Sequence, residues 1–223
     1  MDRYTSGSYG QAVPDWHESD APFKVAGLVR FVRDIGWKPT SVVDIGCGTG
    51  RVLQGVCREL GATGVGVDVA GEAIARTPSE EGLTYRVGDV ADAGTADMVM
   101  AIDVVEHVAD DIAFVARLAK VAPHILLRIP LDISALDALR PARMLAARQE
   151  WGHRHVYTVD LAHALVRDAG LTIVQSRTDR VPVAASSTRG KVSDRARQIV
   201  HSLAPLSATR WLGGYSLLIA CTP

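Results

Sequence analysis

The chain has 223 residues, of which 48% are hydrophobic and 22% charged, with a formal net charge of −1 at pH 7. This composition suits one globular domain with a sizeable core, residues 1–223, and the lack of a basic surplus argues against a nucleic-acid partner. No apolar run reaches the ~18 residues of a membrane span. The three cysteines include no CxxC pair, which argues against a disulfide scaffold or a zinc ribbon. We therefore expect a protein of the reducing cytoplasm.

Residues 1–38 are predicted to form an irregular arm followed by a helix. The first twenty are rich in Tyr, Gly, Ser and Trp and contain no apolar core of signal-peptide length. Pro22 is well placed to open a helix, because proline is favoured at the first helical positions, and apolar residues then recur on one face. An excess of arginine over lysine and many alanines indicate a bacterial source.

From residue 41 onward, short apolar runs alternate with amphipathic stretches. The predicted strands are SVVDI, TGVGVD, LTYRV, DMVMAID, HILLRIP, LTIVQSR and YSLLIAC, and the predicted helices are 51–60, 71–76, 110–121, 132–149, 158–169 and 193–208. This alternation indicates a doubly wound α/β fold, in which helices cover both faces of a parallel sheet. Thr158 is a candidate N-cap, and Gly170 is expected to end the same helix.

A glycine loop follows the first strand, in the stretch VVDIGCGTGRVL. Gly46, Gly48 and Gly50 let the backbone turn sharply and approach a ligand closely, and the helix that follows offers unpaired N–H groups. The third glycine comes one residue too early for the G-x-G-x-x-G of an NAD site, and Asp44 would repel a pyrophosphate. The loop therefore favours a ligand that carries a positive charge, with a tight turn that binds nothing as the alternative.

VVDIGCGTG resembles motif I of the class I S-adenosylmethionine (SAM) dependent methyltransferases. VGVDVA, YRVGDV and DMVMAIDVVEHV resemble the family's later motifs in the expected order. The resemblance covers a SAM-binding core at 39–130 and extends more weakly through HVYTVDLAHALVRDAGLTIV. It implies a Rossmann-like, seven-stranded sheet that is mostly parallel, with an antiparallel last strand and helices on both faces.

The resemblance also implies how the cofactor is bound. Asp44 would hold the methionyl ammonium of SAM, Asp68 the ribose hydroxyls, and Asp89 the adenine amino group. The glycine loop would pass beneath the cofactor, and valines would form apolar walls. The implied cofactor residues are Asp44, Gly46, Cys47, Gly48, Gly50, Asp68, Val69, Asp89, Val90 and Asp103.

The acceptor is indicated by the stretch IDVVEHV. Methylases of exocyclic DNA amines, and some that act on RNA or protein amides, carry (N/D/S)PP(Y/F) at this place. The different sequence here favours a small-molecule acceptor, such as a quinone, sugar or natural product, and O-methylation ahead of N-methylation. A protein or RNA substrate, a non-catalytic SAM- or nucleoside-binding module, and an NAD-linked oxidoreductase remain alternatives, and a homodimer is left open.

Three histidines are candidate bases. His107 follows the fourth strand, near the expected methyl position, whereas His153 and His155 belong to WGHRHVYT. Structural hydrogen bonding is the alternative for each of them. His153 and His155 also have the spacing of a metal-binding pair, but zinc needs three or four protein ligands and no third lies nearby at a typical spacing, so we expect no metal.

Two segments outside the alternating pattern are predicted to contact the acceptor or cover the sheet. Residues 131–157 would cover the substrate, and their arginines (Arg140, Arg143, Arg148 and Arg154) could meet an anionic group. Residues 180–214 replace the hairpin with which the family joins its last two strands; they could cover the sheet edge, or touch a membrane surface or a second subunit. The candidate acceptor contacts are Trp16, His17, Glu106, Arg154 and Tyr157.

Overall fold

Seven strands form one mixed sheet in the computed structural model, which describes residues 18–139, 141–146, 148–149, 152–180 and 199–223. The sheet order is β3-β2-β1-β4-β5-β7-β6, and every neighbouring pair is parallel except those made by β7. The predicted doubly wound sheet with an antiparallel last strand is thereby confirmed. The strands are β1 (Ser41–Ile45), β2 (Thr63–Asp68), β3 (Leu83–Val87), β4 (Met98–Ile102), β5 (His124–Leu131), β6 (Thr172–Arg180) and β7 (Tyr215–Thr222).

Helices cover both faces of this sheet. The first two helices share one apolar cluster with the sheet, and the fourth, seventh and eighth share the other. Residues 199–203 are also helical, and short 3-10 turns occur at Glu18–Asp20 and Val90–Asp92. The helices are α1 (Ala21–Asp34), α2 (Arg51–Leu60), α3 (Gly71–Ile74), α4 (Asp111–Leu118), α5 (Ala135–Ala138), α6 (Pro141–Ala146), α7 (Val159–Asp168) and α8 (Pro205–Leu212).

Strand β4 shows how the two clusters divide the core. Met98 and Met100 pack with α1 and α2, whereas Val99 and Ala101 pack against the opposite face, because successive strand residues point to opposite sides. All five residues of the strand are buried. This double burial explains why the strand is a continuous apolar run in the sequence.

The two ends of α7 follow local sequence rules. The Thr158 side chain accepts a hydrogen bond from the N–H of Leu161, as expected of an N-cap. At the other end Gly170 has φ +80, its N–H donates to the carbonyl of Arg167, and the N–H of Leu171 donates to that of Val166. These paired bonds form a Schellman motif and confirm Gly170 as the helix end.

The single helix predicted for 132–149 is wrong. Ser134 caps a one-turn helix, α5, by accepting from the N–H of Asp137, so the helix begins only at Ala135. A separate helix, α6, begins at Pro141, since proline has no N–H for an internal helical bond.

The helix predicted for 193–208 also needs correction. Residues 193–198 lie outside the described residues, and the helical stretch 199–203 stops at Ala204, whose φ of −148 is not helical. Pro205 then opens α8, which continues to Leu212 rather than ending at 208.

The order of the strands determines where a ligand can bind. Because β1 lies between β2 and β4, the chain leaves the carboxyl ends of β1 and β4 toward opposite faces of the sheet, and a crevice opens there. No helix in the described part of the chain is long and apolar enough to cross a bilayer.

Candidate active site

A cavity of about 660 Å³ occupies this crevice. Its walls come from the loops after β1, β2 and β4, from the first turns of α1, and from α4 with the loop before it. A more open groove of about 790 Å³ lies between α1 and α2, but none of the loops at the carboxyl ends of the strands lines it. The cavity in the crevice is therefore the candidate site.

The glycine loop forms the floor of this cavity. Gly46 and Gly50 have φ of +76 and +75, and a Cβ at either position would collide with a neighbour, Val104 for Gly46 and the Tyr85 ring for Gly50. The Asp68 carboxylate accepts hydrogen bonds from the N–H of Gly48 and of Ala70, both at 2.8 Å. The loop is thus tied to the end of β2, close to where a ribose would bind.

Asp44 brings a buried acceptor to the cavity wall. Its side chain is 2% exposed, and Oδ1 has no hydrogen-bond partner among the described residues. Burial, with the charge of Asp68, raises the pKa of Asp44 well above its usual range, and Lys24 acts in the opposite direction. A cationic ligand group would satisfy this oxygen, as the sequence predicted for an ammonium.

Lys24 is a cavity residue that the sequence did not reveal. It lies on the first turn of α1, and its Nζ is 3.0 Å from Oδ2 of Asp103. In the sequence it is one lysine in an amphipathic helix, and no motif indicates that it turns toward the strand ends. Its position near both Asp44 and Asp103 places a cation beside the predicted ammonium site.

Asp103 pairs with two cationic side chains, Arg128 and Lys24. It has φ +58, and its carboxylate accepts from Arg128, a side chain that is 2% exposed and also lies 3.4 Å from Asp179. Although burial acts in the opposite direction, Arg128 and Lys24 lower the pKa of Asp103 to about 2. Asp103 is therefore a fixed negative charge at the cavity wall.

Asp89 lies at the outer rim of the cavity. Its carboxylate accepts two hydrogen bonds from Arg117, at 2.8 and 3.2 Å, and one from the N–H of Val90. Val90 itself is buried in the core behind the cavity, whereas Val69 is 43% exposed and lines it. Of the two valines among the predicted cofactor residues, Val69 lines the cavity and Val90 does not.

The structure separates the three candidate histidines. His107 lines the cavity, and its pKa is lowered to about 4, first by burial and then by the neighbouring His153. His153 is behind it, with Nδ1 2.6 Å from Oδ2 of Asp132. His155 lies with Nε2 3.0 Å from the carbonyl oxygen of Val108 and Nδ1 3.6 Å from Asp111. Only His107 can reach a cavity ligand directly.

The predicted acceptor contacts are distributed unevenly. Arg154 lines the cavity, whereas Glu106 and Tyr157 are buried behind its wall, where the Tyr157 hydroxyl donates to Asp111 across 2.7 Å. Trp16 and His17 lie outside the described residues, as do Arg140 and the side chain of Arg143, and Arg148 is exposed on the surface.

Ten of the predicted site residues line the cavity, and six others lie behind its wall. Cys47, one of the former, remains a thiol because burial raises its pKa further. Those lining it are Asp44, Gly46, Cys47, Gly48, Asp68, Val69, Asp89, Asp103, His107 and Arg154, and those behind it are Gly50, Val90, Glu106, His153, His155 and Tyr157. Lining residues that sequence reasoning missed include Lys24, Asp110, Phe114 and Arg117.

One side-chain cluster brings together groups that could hold a metal ion. Glu106, His107 and His153 each offer a ligand atom, and these atoms lie within 4.8 Å of one another. The sequence shows no third ligand at a typical spacing from His153 and His155. In the structure, the loop after β4 brings two candidate ligands, Glu106 and His107, to His153.

The family model and the relatives that match this chain are all described as methyltransferases. A family model described as "Methyltransferase domain" matches residues 17–176. The chain is similar to norajmaline N-methyltransferase of Rauvolfia serpentina, with 32% identity over 38% of this chain and 33% of the relative. It is also similar to ubiquinone biosynthesis O-methyltransferase of Mesorhizobium japonicum, with 42% identity over 34% of each chain. The matches thus span about a third of these relatives.

A solved structure shows the same fold at low sequence identity. Magnesium protoporphyrin IX methyltransferase of Synechocystis PCC 6803, with bound S-adenosylhomocysteine, has 18% identity and a TM-score of 0.60. The similarity covers 95% of this chain and 85% of that one.

Proposed function

Because the chain belongs to the methyltransferase domain family, we propose that it transfers the methyl group of SAM to an oxygen atom of a small organic acceptor and releases S-adenosylhomocysteine. The solved neighbour with bound S-adenosylhomocysteine shares this fold, which supports SAM as the cofactor. The name of the Mesorhizobium relative supports an oxygen acceptor, and that of the Rauvolfia relative keeps a nitrogen acceptor as the alternative.

The observation that carries the proposal is that two chemically different groups of residues line one cavity. The glycine loop, Asp44 and Asp68 suit the zwitterionic and ribose parts of SAM. His107 and Arg154, which line the same cavity, suit a polar acceptor. A methyl donor and an acceptor could therefore lie in contact within a single space.

The amino-acid part of SAM has matching charges in the first of these groups. The unpartnered Oδ1 of Asp44 would accept from the ammonium, and the Lys24 ammonium would bind the carboxylate. Asp68 would accept from a ribose hydroxyl while it keeps the glycine loop in place. These contacts would fix the direction of the sulfonium within the cavity that His107 also lines.

Methyl transfer needs little more from the protein than alignment. The sulfonium is activated already, so holding the acceptor oxygen in line with the C–S bond supplies much of the acceleration. His107 is neutral at pH 7 because its pKa is about 4, and it can accept a hydrogen bond from an acceptor hydroxyl. Arg154 would bind a polar or anionic group of the same molecule.

The proposal is tested in two steps. Calorimetric titration should show stoichiometric binding of SAM and S-adenosylhomocysteine, and NADH binding in their place would overturn it. Incubation with SAM carrying a labelled methyl group and a panel of hydroxylated quinones, phenols and sugars should then yield a labelled product. The variant His107→Ala should lower kcat by about 10²- to 10⁴-fold without a change in SAM affinity, and His163→Ala, on α7 and bonded to Ser176, is the control.

A non-catalytic SAM-binding module is the alternative from a different class. It would bind the cofactor as tightly, yet no acceptor in the panel would be labelled. His107 and Arg154 in the lining of the cavity favour the enzyme, since a module that only binds SAM needs no residues for an acceptor.

A further inference from the structure

We propose that Glu106, His107 and His153 form a binding site for a transition-metal dication such as Zn²⁺, at the part of the cavity wall that His107 lines. Their ligand atoms lie within 4.8 Å of one another, a spread that one ion can span with small side-chain movements. Two imidazole nitrogens and one carboxylate oxygen are the ligand set of catalytic zinc sites, in which a further position stays open for water or substrate.

Backbone contacts hold the three residues together. Glu106 and His107 follow β4, whereas His153 comes from a segment 46 residues further along the chain. The Glu106 carbonyl accepts hydrogen bonds from the N–H groups of Arg154 and His155, at 2.7 and 3.1 Å. These backbone hydrogen bonds therefore hold the segment that carries His153 against the loop that carries Glu106 and His107.

The Glu106 carboxylate has the environment of a metal ligand. Its side chain is 1% exposed, and Oε2 has no hydrogen-bond partner among the described residues. Oε1 lies 3.8 Å from Nε2 of His107. A buried carboxylate oxygen without a partner is costly, and a bound cation would remove that cost.

Asp132 supplies the support that metal-binding histidines usually have. Its Oδ2 lies 2.6 Å from Nδ1 of His153, so Nδ1–H donates to the carboxylate and Nε2 would be the metal ligand. The His153 ring stands edge-on to that of His107, with centroids 5.0 Å apart. This carboxylate–histidine pair fixes both the tautomer and the direction of the ligand.

The ion would also help the acceptor to lose its proton, a role that rests on the function proposed above and in which His107 would be a metal ligand instead of the hydrogen-bond acceptor for the hydroxyl. His107 lines the cavity, so the open coordination position would be accessible to an acceptor hydroxyl. A bound metal ion would lower the pKa of that hydroxyl, so that its proton could pass to solvent. The oxygen lone pair would then attack the methyl carbon, and an O–C bond would form while the S–C bond broke with its electrons left on sulfur.

The test is metal binding by the full-length protein after dialysis against a chelator. Calorimetry with Zn²⁺, and the visible spectrum with Co²⁺ as a probe, should show one equivalent bound. Asp132→Asn should weaken binding by about 10- to 100-fold, and His153→Ala or Glu106→Gln by more, whereas His163→Ala should leave it unchanged. Melting temperature and S-adenosylhomocysteine affinity establish that each variant is folded.

The outcomes separate the two proposals. No binding by the wild type, or equal binding by the wild type and by folded His153→Ala and Glu106→Gln, would overturn the metal site. Binding of one equivalent that does not alter methyl transfer would overturn its catalytic role. Failure to bind SAM would count against the proposed function and the catalytic role of the ion but not against the metal site, because the metal titration needs neither cofactor nor acceptor.

Discussion

The Asp68 carboxylate accepts a hydrogen bond from the backbone N–H of Gly48 across 2.8 Å and so joins the end of β2 to the glycine loop after β1. Asp68→Ala should therefore remove both the predicted ribose contact and the support of the loop. Since hydrogen bonds to a charged group contribute about 1.5–3 kcal/mol, we expect SAM affinity to fall by roughly 10- to 100-fold in calorimetry. Asp160→Ala, at an exposed position on α7, is the control, and unchanged affinity of Asp68→Ala would refute the role.

Lys24 is expected to recognise the carboxylate of the cofactor. Lys24→Ala should weaken binding of S-adenosylhomocysteine by about tenfold, the loss of one charge-assisted contact. Binding of 5′-methylthioadenosine, which lacks the amino-acid part, should be unchanged. Equal losses for both ligands would show that Lys24 only shapes the cavity, and Lys120→Ala, at an exposed position after α4, is the matched control.

The Tyr85 ring makes Gly50 intolerant of any side chain. Gly50 and Gly94 have nearly the same φ, +75 and +76, but a Cβ would meet the ring only at Gly50 and nothing within 4 Å at Gly94. Both alanine variants should lose about 1–2 kcal/mol through the left-handed backbone. Gly50→Ala should lose about 1–3 kcal/mol more through overpacking, as urea unfolding would measure. Equal losses would contradict the collision.

Asp97 should stabilise the fold in a pH-dependent way. Its Oδ2 accepts from the N–H and hydroxyl of Thr40 and from the N–H of Ser41, and these hydrogen bonds lower its pKa from 3.8 to about 2. Because the folded state prefers the ionised form, this stabilisation is present above pH 3.8 and disappears as the pH falls to about 2. The unfolding free energies of wild type and Asp97→Asn should converge over that range, and a constant difference would refute it.

Local rules predicted much of this fold. The strands were found from apolar runs, the start of α7 from Thr158 and its end from Gly170, because each of these signals acts within a few residues. Ser134 and Pro141 are also local signals, and they mark the starts of α5 and α6. The amphipathic pattern across 132–149 nevertheless predicts one continuous helix.

The candidate site could be predicted from the sequence where acidic residues lie at the carboxyl ends of the strands. Asp44, Asp68 and Asp89 each lie at or just beyond the carboxyl end of a strand, so a parallel sheet brings them to one edge. Lys24 and the pairing of His153 with Glu106 were not predictable, since they depend on how α1 and the segment after β5 pack across the crevice. Such contacts join segments that are far apart in the chain, so the spacing of residues in the sequence does not predict them.

Burial of Asp44 would make cofactor binding a proton-linked equilibrium. Its carboxyl group has a raised pKa even though Lys24 acts to lower it, and an ammonium placed beside Oδ1 would favour the ionised form and lower that pKa further. Protons would then leave the protein as SAM arrives, at any pH between the two values. Cofactor affinity would rise with pH across that interval, and the heat of binding would depend on the ionisation enthalpy of the buffer.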